Sequence, residues 1–550
     1  MPAQILRKKL RSTLRCNFAF LKVSLLEWAI KMIYRKLLLF LLFSLLPLSG
    51  SEKIDEAIDL TKANSRPVFV RMSDQLIGQA GEYEKLCRKH SGKPRSKNRK
   101  EVLSLLRVNA DESWEKIGKM VDTLEEKREI RAVRRFWIVN GFSCLAKPAA
   151  IRKLAKRDDV SYIYLDKFAR PLKKPLPMSE NQMTSMQEVL AMWKKKQPEA
   201  IMSLRIPWNV REIGAEMAWA EENATGRDVT VAVIDTGILP APSLIRALAK
   251  NPKEQFNGKD DDGNGLIDDV FGYDFISNTG YILEAAGTTS HGSSCVGIIA
   301  GQSSAKGWQT AIAPDSRIVI LKGGFDLCSL EYLMTNGADI VSMSFMIVNR
   351  DLGQIRGLFR NAFEHLSLGG VLAVGGAGNY GPDSHRAMPA GKQIGLPKDI
   401  PCVLAIAGVD RSRTKLPFSS EGPCYWEGVK FFSDYSESNP LLKPDLTAFP
   451  SGYPVWNLSG SHKIRNDWKE VEREEGGSLI VGPAGNSFSG PHAAGVAALM
   501  LSANPELNPW EISEILRETA SDLGPEGPDS KFGYGLIDAL AAVRAAKKRY

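Results

Sequence analysis

The chain has 550 residues, of which 43% are hydrophobic and 25% charged, a globular balance that is too long for one ordinary domain. Its net charge of +9 is a split: residues 1–200 carry 41 Lys and Arg against 22 Asp and Glu, and the remainder carries 31 against 41. No zinc-finger, RRM-like or arginine-rich aromatic pattern accompanies the basic part, so nucleic acid is not an expected partner.

Residues 1–50 read as a signal-peptide region. Leu37 to Leu46 is an unbroken apolar run except for Ser44, preceded by Arg35 and Lys36 and followed by the small residues Ser49, Gly50 and Ser51. The run is short for a bilayer span of ~20 apolar residues, so no stable membrane anchor is expected. The stretch before it is longer than usual, and Met32 would make a more typical start. The expected location is secreted or periplasmic. The seven cysteines include no C-x-x-C pair, which argues against zinc. Spacing leaves a Cys402–Cys424 disulfide open.

Residues 66–168 read as a small α+β unit. Pro67 to Met72 alternates as a strand, Ser91 to Lys100 is a basic break, and Val102 to Arg128 is helical. Phe136 to Val139 reads as a strand, Pro148 to Lys156 as a short helix and Val160 to Tyr164 as another strand. Residues 169–207 form a Pro/Lys-rich linker with one helical stretch. From Trp208 to the end, apolar strands alternate with helices: Val229–Ile234, Ile318–Leu321, Ile340–Met343, Val371–Val374 and Val403–Ala407. That alternation specifies an α/β fold with a parallel central sheet, whose sites lie beyond the carboxyl ends of strands.

Chemistry-bearing residues fall at those ends. Asp235 closes the first of these strands and precedes Thr236-Gly237, where a carboxylate can orient a histidine or simply shape a turn. His291 opens HGSSCVGIIAG, whose small residues let a helix pack closely behind the ring. Ser487 stands in GNSFSGPHAAG, ahead of an apolar run that must be a buried helix. Pro491 is expected in that helix's first turn, which puts Ser487 at the N-terminus, as an N-cap or as a nucleophile among free amides. Asn379 follows a strand in GGAGN, as a turn residue or as an amide donor to a developing oxyanion. Asp260, Asp262, Asn264 and Asp268 follow the first part of an EF-hand loop, but the twelfth position is Phe271, so a complete EF-hand is excluded. An acidic turn and a calcium-holding loop both fit.

Four segments in register, with acid, histidine and serine in that chain order, resemble the subtilisin-like serine proteases. The likeness extends through Ile318–Lys322, Ser342–Phe345, Phe418–Pro423 and Pro444–Ala448, and covers Trp208 to about Ala542. It implies the subtilisin-like three-layer fold and a secreted serine endopeptidase acting on proteins or peptides. Asp235, His291 and Ser487 would be the triad, Asn379 an oxyanion-hole donor, and Ser344, Phe345 and Met346 the strand that binds substrate. Bound calcium is common in such enzymes. The front unit, with FWIVNGFSCLA and VSYIYLD, resembles an inhibitory propeptide of the bacillopeptidase type, so a zymogen is implied. Four positions depart from the family: Asn486 for Thr, Ser294 for a second His, Ser344-Phe345-Met346 for Ser-Leu-Gly, and Ala448-Phe449-Pro450 for Ala-Pro-Gly. None removes a triad member; they bear on cleavage specificity. The alternative is an inactive binding protein on the same fold.

Overall fold

The computed structural model describes residues 52–549, apart from 170–173, 196–203, 286–289, 324–325, 348–350, 385–392 and 458–467. The apolar N-terminal run and parts of the linker therefore lie outside the described residues. Among the described residues no helix is long and apolar enough to cross a membrane, and no disulfide joins any of the six cysteines, Cys402 and Cys424 included.

The larger unit is built on seven parallel strands: β5 (Thr230–Asp235), β6 (Gly272–Asp274), β7 (Arg317–Lys322), β8 (Ile340–Met343), β9 (Leu372–Gly376), β10 (Leu404–Gly408) and β11 (Leu446–Ala448). Their order is β11-β10-β9-β8-β5-β7-β6. Alternating side chains go to opposite faces. Val231, Val233, Ile318 and Ile320 join one core, while Ala232, Ile234, Val319 and Leu321 join another. Both faces are covered by helices, which is why the strand interiors are largely apolar. On one side lie His291–Ala300 and the buried Asn486–Ala503. On the other lie Leu327–Thr335 and Ile355–Leu368. This is the three-layer α/β fold expected. A small antiparallel sheet, β12 (Val455–Asn457), β13 (Lys469–Glu474) and β14 (Gly477–Val481), flanks it.

The N-terminal unit is an antiparallel sheet in the order β2-β3-β1-β4, from β1 (Arg66–Met72), β2 (Ile130–Phe136), β3 (Gly141–Ala146) and β4 (Val160–Leu165). Residues ahead of position 66 belong to its packing: Ile54 bridges Ile163, and Ile58 is buried in its core. Two local expectations change. Trp137 to Val139 is the turn between β2 and β3 rather than strand, because Asn140 adopts a left-handed φ of 35° and Gly141 accepts no Cβ, which would sit 2.5 Å from the Val70 carbonyl. The basic break is only Ser91 to Pro94. The helix already starts at Arg95 and runs to Glu126, since Arg95 and Arg99 are drawn to Asp339 of the larger unit (2.5 and 3.6 Å).

The helix Glu180–Lys194 within the linker packs on the larger unit. Met186 and Val189 are buried in its core, and the Trp193 indole donates to the Leu248 carbonyl (2.9 Å).

Candidate active site

Three strand ends and two helix starts converge here. Asp235 is the last residue of β5, and its Oδ1 accepts from His291 Nδ1 (2.7 Å) and from the Thr236 amide (2.8 Å). Burial alone would raise the Asp235 carboxyl. The His291 charge, its hydrogen bond and the Thr236 amide outweigh that and hold it below the ordinary carboxylate range. Burial alone would lower His291, yet the charge and hydrogen bond of Asp235, then the charge of Glu284, raise it. The pair therefore stabilises the imidazolium once His291 has taken up a proton. His291 can sit so close because Gly292 has no side chain: a Cβ there would lie 2.3 Å from the Gly237 carbonyl.

Ser487 is the second residue of the helix Asn486–Ala503. Pro491 is not in the first turn, as the sequence suggested, but one position into the second. Having no N–H, it leaves the Ser487 carbonyl without its helical donor. That carbonyl accepts instead from Ser344 Oγ (2.7 Å) and Cys295 Sγ (3.5 Å). Pro491 thus stays inside the helix because side chains from the segment after β8 and the histidine helix take over the missing bond. The same contacts bring Ser487 to the histidine helix, where Cys295 lies one turn beyond His291. Cys295 Sγ is also 3.8 Å from Asp235 Oδ2. The Ser487 hydroxyl donates to the Ser344 carbonyl (3.3 Å), and the Phe488 and His291 rings are 6.1 Å apart.

Asn379 follows β9 and faces the same helix start. Its Oδ1 accepts from the Asn486 amide (2.8 Å), which turns Nδ2 to the Gly485 side, 3.3 Å from where a Gly485 Cβ would sit. Asn486, in place of the Thr, donates from Nδ2 to the Gly378 carbonyl (2.8 Å) and to Ser419 Oγ (2.9 Å). Ser294, in place of the second His, donates to the carbonyls of Ser290 (3.1 Å) and Trp456 (2.6 Å). Ser344, Phe345 and Met346 continue directly from β8 along the edge of this cleft.

Three residues here carried no signal that the sequence reading used. Glu284 Oε1 accepts from Thr236 Oγ1 (2.7 Å) and the Ser293 amide (3.3 Å), and Thr236 Oγ1 accepts from the Gly292 amide (3.0 Å). This chain ties the end of β5 to the start of the histidine helix. Cys295 is the second; its position one helical turn after His291 was the available clue. The third is Glu254, in the acidic loop. Glu254, Asp260 and Asp262 have ligand atoms within 4.8 Å of one another. Glu254 is fully buried; its Oε1 accepts from the Asp261 and Asp262 amides (2.8 and 2.9 Å), and among the described residues its Oε2 has no partner. Burial raises its carboxyl to about 7, and the Asp269 and Asp262 charges add to that.

The other two loop residues of the expected set have protein partners. Asp268 Oδ1 accepts from the Asn257 and Gly258 amides (2.8 and 2.9 Å), and Asn264 bonds Leu266 and Asp269 (2.8 and 3.2 Å). Asp260 and Asp262 of the expected set lie together with Glu254, and the Asn264 amide donates to both of them (3.1 Å each).

The N-terminal unit docks on Leu327–Thr335 and Ile355–Leu368. Glu331 Oε1 accepts from the Trp137 and Ile138 amides (2.6 and 3.1 Å). His365 Nε2 accepts from the Ile77 amide (3.0 Å), and its Nδ1 bonds the Ile138 carbonyl (2.5 Å). After β4, Lys167 donates to the Asp351 carbonyl (2.5 Å), and Phe168 packs edge-on to Phe359 with ring centroids 4.6 Å apart.

Comparison with known proteins gives a consistent result. The sequence profile of the subtilase family matches residues 226–535. Bacillopeptidase F of Bacillus subtilis is 26% identical over 515 residues, 90% of this chain and 31% of that protein. Fervidolysin of Fervidobacterium pennivorans is 26% identical over 353 residues, 61% of this chain and 43% of that protein. The chain thus spans about a third of the first and less than half of the second. Subtilisin DY of Bacillus licheniformis is 24% identical over 351 residues, 62% of this chain and 99% of that protein.

Proposed function

The chain belongs to the subtilase family, and from that premise we propose that it is a secreted serine endopeptidase, made as a zymogen, with Asp235, His291 and Ser487 as its triad. The observation that carries this is the 2.7 Å Asp235–His291 hydrogen bond beside a serine at a helix start.

The chemistry follows from the positions. Ser487 Oγ turns from the Ser344 carbonyl toward His291 when substrate arrives; such contacts are often loose without substrate. His291 takes the hydroxyl proton as Oγ attacks the scissile carbonyl. Asp235, fixed by the Thr236 amide, holds the ring and stabilises the imidazolium. The Ser487 amide at the helix N-terminus and Asn379 Nδ2 donate to the oxyanion, and the Asn379–Asn486 bond keeps Nδ2 aimed. His291 protonates the leaving amine, and water repeats the sequence on the acyl-enzyme. Ser344 to Met346 pairs with the extended substrate as an added strand.

Residues 66–168 act as the inhibitory propeptide. Support comes from their docking on two helices of the larger unit and from a chain that leaves β4 past Asp351, just beyond the substrate strand. Cleavage in the 169–207 linker would release them, leaving 208–550 as the mature enzyme. Calcium fits the acidic loop, whose donors are all hard oxygens and include a buried carboxylate oxygen without a partner among the described residues. Glu254, Asp260 and Asp262 would hold it, and its role would be structural.

The test is digestion of an unstructured protein, with the fragments sequenced. Internal cleavage by the wild type and intact protein with folded Ser487→Ala is the expected outcome. Equal cleavage by both would place the chemistry elsewhere.

A further inference from the structure

Where the substrate runs along Ser344 to Met346 and its carbonyl sits between Ser487 and Asn379, the side chain on the acyl side of the cleaved bond has one way to go. It would enter between the segment after β8 and the turn after β9, which face each other across Met346 and Gly378. In this protein that gap is filled from the wall itself. The Met346 side chain crosses it, and its Cε lies 2.6 Å from where a Cβ on Gly378 would be. Its Sδ accepts from the amide of Gly395, on a third segment (2.8 Å). Behind it the stem of buried Lys398 closes the base: its Cε lies 2.5 Å from where a Gly375 Cβ would sit, and its Nζ bonds the Phe345 carbonyl. Met346 also packs on a small cluster that includes Ala377 and Ile394.

We infer that Met346 is a specificity-determining residue that closes the subsite for the residue before the cleaved bond and restricts it to small side chains such as alanine. The inference rests on the endopeptidase reading above. A large substrate side chain must displace the thioether, which strips the Gly395 amide of its acceptor and undoes the packing on Ala377 and Ile394. The Met346 side chain is unbranched and can move, so the restriction is one of rate rather than an absolute block. Hydrophobic subsites discriminate by roughly 10–200-fold per group that fits or does not.

The full chain is expressed, allowed to process itself and purified, and it is given tetrapeptide substrates differing only in Ala, Leu or Phe before the reporter amide. The expected result is kcat/KM for Ala at least about tenfold above Phe. Met346→Gly is expected to lower the Ala-to-Phe ratio of kcat/KM by about tenfold or more. Met346→Ala serves as the intermediate variant should the glycine form fail to fold. A wild type that cleaves Phe as well as Ala, or a Met346→Gly or Met346→Ala protein with the same Ala-to-Phe ratio as the wild type, would overturn the inference. So would a wild type that takes up a fluorophosphonate at Ser487 yet prefers Phe. A wild type that takes up no such label and cleaves none of the peptides would instead overturn the endopeptidase reading beneath it.

Discussion

The two units solve the burial problem differently. The larger sheet is sandwiched by its own helices, so both faces of β5, β7 and β8 are buried within one unit. The N-terminal sheet keeps only one face for itself. Val68, Val70, Phe142 and Ile163 pack with Ile117 and Val121 of its long helix. Phe69, Phe136, Tyr162 and Tyr164 share a core with the larger unit's Leu327–Thr335 and Ile355–Leu368. One unit is self-sufficient; the other completes its core by docking. A unit of about 100 residues that shares one face of its sheet with its neighbour has little to spare alone. That suits the inhibitory propeptide role proposed for it.

The sharpest way to break this comparison is to remove the chemistry and keep the docking. Ser487→Ala should lose about 10⁶-fold in kcat, with His291→Ala alike, because triad members act as a unit. The N-terminal unit should then stay covalently attached and docked, visible as a single uncleaved band. A processed Ser487→Ala protein would show that cleavage in the linker is not its own work.

Asn379→Ala tests the catalytic side more gently. Loss of one oxyanion donor should lower kcat by roughly 10²–10³-fold with little change in KM. A change in KM alone would assign Asn379 to ground-state binding.

Glu331→Ala probes the docking side. It leaves the Trp137 and Ile138 amides without their acceptor, at about 1–3 kcal/mol. Inhibition of mature enzyme by separately added residues 52–168 should weaken by about tenfold or more, with peptide hydrolysis unchanged. Equal inhibition would show that these bonds are incidental to docking.

Two smaller effects are pH-dependent. Glu284 adds negative charge near His291 and favours the imidazolium. Glu284→Gln removes that charge, so the acid limb of kcat/KM, which reports His291, should move to lower pH. An unmoved limb would leave Glu284 only its bonds to Thr236 and the Ser293 amide. Glu254 is the second case. Burial raises its folded value to about 7, above that of an unfolded carboxylate. The folded state then binds the extra proton, and stability falls as pH rises from about 5 towards 7. Calcium would replace that proton, so it should raise Tm more at pH 7 than at pH 5. Glu254→Gln should blunt the gain. A Tm indifferent to chelator at both pH values would make the loop an acidic turn.

Much of this was legible because strand ends are local features. An apolar run ending in Asp235-Thr236-Gly237, and small residues after His291, are written contiguously. The parallel strands were readable for the same reason. What stayed hidden depends on contacts distant in sequence. Glu284 meets Thr236 across 48 positions, and no pattern of neighbours announces that. Glu254 lies outside the D-x-D spacing but its backbone partners are Asp261 and Asp262. Pro491 lies just past the first turn, because its tolerance depends on Ser344, which follows β8, and on Cys295 of another helix. The basic break shortened because Arg95 and Arg99 meet Asp339 only in the docked fold.

The central claim is that Ser487 is a nucleophile activated by the Asp235–His291 pair, and covalent labelling tests it most directly. The self-processed protein is treated with a fluorophosphonate and the modified residue is located by mass spectrometry. The expected result is a single adduct on Ser487, with labelling abolished in folded His291→Ala. An adduct on another residue, or no adduct on a folded wild-type protein freed of its N-terminal unit, would contradict the account.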